Sequence, residues 1–131
     1  MIKSFEPVYK ELEYLFIDKL PEYIEKINKE HNDGIIIKRF ENHRLEEDCI
    51  KLPSFKFNLE EAEYSEKDRI IENTVFSVSF EIKNPAFYEN ATVILWRYFE
   101  AINRMIDEIE SDYIYQINEI KNNKILIRIT E

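Results

Sequence analysis

His31, Asp33, His43 and Cys49 are the side chains in this chain best able to hold a metal or attack a substrate. A zinc site needs three or four ligands brought together, usually including two Cys or two His a few residues apart. No pair here has that spacing, and His31 and His43 are separated by an expected helix end, a strand and a loop. His31 is expected instead to sit in a last helical turn, where a partial positive charge suits the helix dipole. Cys49 reads as a small apolar anchor in a loop, with no basic neighbour to activate its thiol. As the only cysteine, it excludes an internal disulfide.

Two acidic clusters, Glu46-Glu47-Asp48 and Glu60-Glu61-Glu63, lack the alternating ligands and turn glycine of a calcium loop. Solvated faces are the plainer reading of such runs. The chain has one glycine, Gly34. A P-loop, a Rossmann turn and a nucleophile elbow each need several residues without a Cβ close to a phosphate or a sharp turn, so all three are excluded. No catalytic, cofactor-binding or metal-binding residue is assigned, and no enzymatic activity is expected. Trp96 is different in kind: a large aromatic off the centre of a helix stripe, suited to a partner contact or, slightly better, to cover by the first helix.

The net charge of −9 and pI near 4.9 argue against direct nucleic-acid binding, because Lys and Arg are scattered singly among carboxylates. An anionic membrane surface is disfavoured for the same reason. No apolar run has the length of a membrane span, and the opening MIKSFEPVYKELEY carries no secretion segment. The expected location is a bacterial cytoplasm or a virion.

The elements that would position these residues form one domain over 1–131. Pro7 marks a helix start, and Val8, Leu12, Leu15, Phe16 and Leu20 step along one face. Pro21 predicts a kink before Tyr23, Ile24 and Ile27, and Gly34 is expected to supply the left-handed close. Ile35–Phe40 reads as a β-branched strand, Ser54–Leu59 as a half-buried one, and Ile70–Lys83 as the clearest alternation. Residues 84–110 read as a long amphipathic helix capped at Asn84 or Asn90, with Arg97, Glu100 and Arg104 on its polar side. The last residues read as a hairpin about Asn122-Asn123, with Ile125 opposite Ile120 and Ile125, Ile127 and Ile129 on the buried face.

The fold class is therefore α+β, a mostly antiparallel sheet with two helices on one face, in the order α-β-β-β-α-β-β. The expected core is Leu12, Leu15, Phe16, Ile24, Ile36, Phe57, Phe76, Val78, Phe80, Leu95, Tyr98, Ile102, Ile106, Ile125 and Ile127. The opposite face of the sheet is left for a partner, which makes Ser77, Ser79, Glu81 and Trp96 the candidate assembly surface. The polar stretches Glu41–Pro53 and Glu60–Arg69 are candidates for further contacts.

LEYLFIDKLPEYIEKINKEHNDG, then NTVFSVSFEIK, then YENATVILWRYFEAINRMIDE follow one another in an order and texture that resembles phage and prophage tail-completion and tail-terminator proteins. The likeness runs through the leading helix with its Leu20-Pro21-Glu22-Tyr23-Ile24 turn, the alternating strand and the second helix. It implies a non-enzymatic structural role at the head–tail junction. The implied partners are identical subunits, often arranged as a ring in such proteins, together with tail or connector proteins. The competing class is a small acidic binding module, such as an immunity protein or antitoxin, for which a basic partner would account for the charge.

Overall fold

The computed structural model describes residues 4–40, 54–62, 76–83, 91–121 and 124–131. Helix α1 (Glu6–Tyr14) starts with Pro7 in its first turn, where a missing N–H costs nothing. It runs without a break through a π-helical turn (Leu15–Lys19) into α2 (Leu20–His31). The wide turn answers Pro21. Its ring would press on the carbonyl four residues back, and the π-turn opens that spacing, with the Leu20 N–H donating to the Leu15 carbonyl. The expected kink is thus a widened turn in a continuous rod. Val8, Leu12, Leu15, Phe16, Leu20, Ile24 and Ile27 are all buried along it.

The end of α2 corrects one expectation. Asn32, with φ 41°, is the left-handed residue that closes the helix, its N–H donating to the Asn28 carbonyl. Asn tolerates this region better than most side chains. Gly34, φ 85°, turns the chain a second time two residues later.

Strands β1 (Ser54–Glu61), β2 (Phe76–Lys83), β3 (Ile114–Lys121) and β4 (Lys124–Thr130) form one antiparallel sheet in the order β1-β2-β4-β3. Helix α3 (Ala91–Glu108) connects β2 to the far edge, and the hairpin returns β4 to the middle. Ile125 lies opposite Ile120, as the hairpin pattern predicts. Ile125, Ile127 and Ile129 are fully buried, while Leu126 and Arg128 between them are half-buried and exposed in turn. Each such burial contributes about 1.5–3 kcal/mol. They share one core with Phe16, Ile24, Tyr98, Ile102 and Met105, so both helical rods lie on the same face of the sheet. Phe57 of β1 meets the Phe16 ring edge-on at 5.2 Å, which ties the first rod to that edge. Phe57, Leu95 and Ile106 are partly buried against this core rather than within it.

The expected strand at Ile35–Phe40 is not part of this sheet. Residues 35–40 are extended, but their backbone is held by side chains of the helices. Asn28 accepts the Ile37 N–H and donates to the Ile37 carbonyl, both at 3.0 Å. Tyr98 does the same for Lys38, and Arg97 donates to the Ile35 carbonyl at 2.9 Å. Burial follows this support: Ile37 and Phe40 are buried, while Ile36, expected in the core, is 69% exposed. Among the described residues the element order is α-β-β-α-β-β. The caps proposed at Asn84 and Asn90, the turn at Asn122-Asn123, and most of the stretches Glu41–Pro53 and Glu60–Arg69 lie outside the described residues. So do the side chains of Phe76 and Phe80.

Candidate functional site

The face of the sheet turned away from the helices is built by the alternation of its strands. Across it, one row pairs Glu61 with Ser77, Ser77 with Arg128, and Arg128 with Gln116. Glu61, Arg128 and Gln116 are exposed, as are Glu119, Lys121 and Lys124 on the same face. Ser77 is not: it is 4% exposed. β2 is an interior strand, with Glu61 paired on one side of Ser77 and Arg128 on the other. Ser77 therefore belongs to the floor of this surface, not to its contact layer. The side chains of Ser79 and Glu81 lie outside the described residues. Backbone pairing places Ser79 between Asn58 and Leu126, and Glu81 between Lys56 and Lys124.

Charge separates this face from the rest of the chain. Lys121, Lys124 and Arg128 stand on it with Glu119 and Glu61, three cations against two carboxylates, in a chain of net charge −9. Bulges between Leu59 and Glu61 and between Ile117 and Glu119 interrupt both edge strands. Such interruptions blunt an edge against indiscriminate pairing.

Trp96 on α3 is 64% exposed, so the first rod does not cover it and it is available to a partner. Its helical neighbours Arg97, Tyr98 and Phe99 are buried. Arg97 overturns the placement on the polar side of the helix. It is 6% exposed and forks onto Asp33, with Nη1 also donating to the Ile35 carbonyl. That hydrogen bonding holds the Asp33 carboxyl well below its usual range, at about 2, and raises the Arg97 guanidinium. Nε of Arg97 is buried without a partner.

Next to this pair, Arg104 meets Glu30 at 2.8 Å and Glu100 at 2.7 Å, and His31 Nε2 lies 3.4 Å from Glu100. The result is a polar seam joining the end of α2 to α3. At the other end, Glu11 accepts hydrogen bonds from Ser111 and Tyr115, while the Tyr113 N–H donates to Ser111 Oγ. Burial, then the Glu11 carboxylate, pushes the Tyr115 hydroxyl up. This cluster fastens α1 to the start of β3. Its serine is bound into a turn, and no imidazole among the described residues is hydrogen-bonded to it.

Among the described residues no three or more His, Cys, Asp or Glu side chains converge on a metal-sized space, and no helix is long and apolar enough to cross a membrane. His43 and Cys49 lie outside the described residues. Sequence reasoning missed Arg97 and Asp33, which stand 64 positions apart, and only their opposite charge hinted at the pairing. No protein-family profile matches the chain, and no curated protein matches it.

Proposed function

We propose that this protein is a structural subunit of a phage or prophage head–tail junction, acting by assembly with copies of itself and with tail or connector proteins. The observation that carries the reading is the division of the sheet: its helix-covered face holds the core, and its other face presents Lys121, Lys124, Arg128, Glu61, Glu119 and Gln116 to solvent. In a chain of net charge −9, a basic-leaning face is complementary to the acidic surfaces of another copy. A head-to-tail contact between unlike surfaces closes into a ring when its rotation allows. The exposed Trp96 supplies the large aromatic that anchors such contacts. The resemblance in order and texture to tail-completion proteins gives the contact its setting.

Reversing Arg128 tests this reading. Arg128→Glu leaves the core residues Ile127 and Ile129 in place and removes a charge from the open face. It should abolish a defined oligomer while leaving the fold intact by circular dichroism. An oligomer of unchanged mass in that variant counts against the open face as the assembly surface.

The acidic-module reading remains the second one, favoured by the same net charge. A small basic toxin that forms a stoichiometric complex with the chain would select it.

A further inference from the structure

Gly34 is the only glycine in the chain, and the residue before it is Asp33. An Asp-Gly pair is prone to an uncatalysed rearrangement of the backbone. The main-chain nitrogen of the glycine attacks Cγ of the aspartate; a C–N bond forms and a carboxyl oxygen leaves as water. Water then opens the succinimide ring at either carbonyl. One opening restores aspartate, and the other gives isoaspartate, in which the main chain runs through Cβ and Cγ. One water leaves and one is added, so the step needs no oxidant or cofactor. Glycine favours it because no Cβ crowds the attacking nitrogen.

Both residues are exposed. Gly34, at φ 85°, has none of the described residues within 4 Å of where a Cβ would stand. Crowding therefore does not protect the pair. The hold on its carboxyl group does. Oδ1 of Asp33 accepts from Arg97 Nη1 at 3.0 Å and from the Ile35 N–H at 3.1 Å, and Oδ2 accepts from Arg97 Nη2. Three donors fix the plane of the group, and closing the ring onto the Gly34 nitrogen has to break them. Only a neutral carboxyl releases its oxygen as water, and the fork keeps Asp33 ionised. Arg97 is itself buried and tied to the Ile35 carbonyl at 2.9 Å, so it does not swing aside without disturbing residues 35–40.

We propose that Asp33–Gly34 is a spontaneous modification site that Arg97 holds shut, and that its rearrangement releases residues 35–40 from α3. The succinimide carries no charge, so Arg97 loses its counterion while still buried. In isoaspartate the free carboxylate is attached directly to Cα, one methylene short of its former reach. Either species weakens the anchor beside Ile37 and Lys38, whose amides donate to Asn28 and Tyr98. No second copy and no partner enters this chemistry, so it stands apart from the head–tail reading.

The test incubates the full chain in 18O-labelled water near neutral pH. Every passage through the succinimide puts one labelled oxygen into residue 33, whichever product forms. Mass spectrometry of the peptide carrying Asp33 reads the label, and isoaspartate is resolved by its separate elution. Folded wild type should take up label at least tenfold more slowly than the same chain in urea, since only the opened fraction reacts. Arg97→Lys keeps the charge without the two-pronged grip, and in its folded form should label at least threefold faster than wild type. Asp33→Glu keeps the charge but would have to close a six-membered ring, and should take up no label. In the separated isoaspartate form, the Ile37 and Lys38 amides should exchange at least tenfold faster. Equal labelling of wild type folded and in urea, or of folded Arg97→Lys and wild type, would overturn the proposal. So would unchanged amide exchange in the isoaspartate form. The urea comparison and the exchange measurement use the wild-type sequence, so they decide the matter even if Arg97→Lys does not fold.

Discussion

A single oxygen on Tyr98 meets both polar backbone groups of Lys38: the hydroxyl accepts the Lys38 N–H at 3.1 Å and donates to the Lys38 carbonyl at 2.7 Å. The Phe40 ring stacks on the same tyrosine with centroids 5.1 Å apart. Helix α3 thereby does for residues 35–40 what a neighbouring strand would otherwise do. Tyr98→Phe keeps the stack and removes both bonds, so it should cost about 1–2 kcal/mol. Thermal unfolding and the exchange rate of the Lys38 amide measure this. An unchanged midpoint would mean that the stack alone holds the segment.

Burial pushes the Tyr98 hydroxyl well above the ordinary tyrosine range, and burial with Glu11 does the same for Tyr115. Both are neutral in the fold. A raised folded pKa means that their contribution is complete below the unfolded value near 10 and is lost as pH climbs past it. Absorbance titration of the phenolates should therefore show Tyr98 and Tyr115 ionising only together with the loss of the circular dichroism signal. Reversible ionisation of all the tyrosines in the folded protein would contradict this.

The Asp33 carboxyl works in the opposite direction. Its folded value near 2 lies below the unfolded value near 4, so the Arg97 pairing stabilises the protein above about pH 4 and is lost as pH falls through 2. Asp33→Asn should lower the unfolding midpoint at pH 6, and the gap to wild type should close in acid. A gap that persists below pH 2 would show that the effect lies elsewhere.

Residues 36 and 37 offer a paired test of the same region. Ile37→Ala removes a buried side chain and should cost about 2–5 kcal/mol, whereas Ile36→Ala at an exposed position should stay within about 0.5 kcal/mol. Equal effects in chemical denaturation would restore the strand reading, in which Ile36 faces the core.

Period-two alternation made β2 and β4 legible, because a sheet with one dry face imposes that pattern on its strands. Ile125, Ile127 and Ile129 could be placed before any coordinates. The helical stripes were legible for the same reason, and Pro21 announced a disturbance though not its π-helical form. Ile35-Ile36-Ile37 misled because β-branching reports a preference for extended backbone and not for a sheet. The groups that satisfy this segment, Asn28, Arg97 and Tyr98, are helix side chains from both ends of the chain. Arg97 was placed outside because charged residues usually are, and its burial depends on Asp33 being folded against it. Ser77 fell on the face expected, but its burial is a property of the assembled fold that its own strand's alternation does not carry.

Sedimentation velocity of the purified chain, over a range of concentrations at low and at raised salt, bears most directly on the proposed role. The contact pairs cations of the open face with acidic surfaces of another copy, and salt screens that attraction, so a defined oligomer present at about 0.05 M salt should weaken by about 0.3 M. It should be lost in Arg128→Glu. A monomer at every concentration and salt level, unchanged by that substitution, would contradict self-assembly through the open face of the sheet.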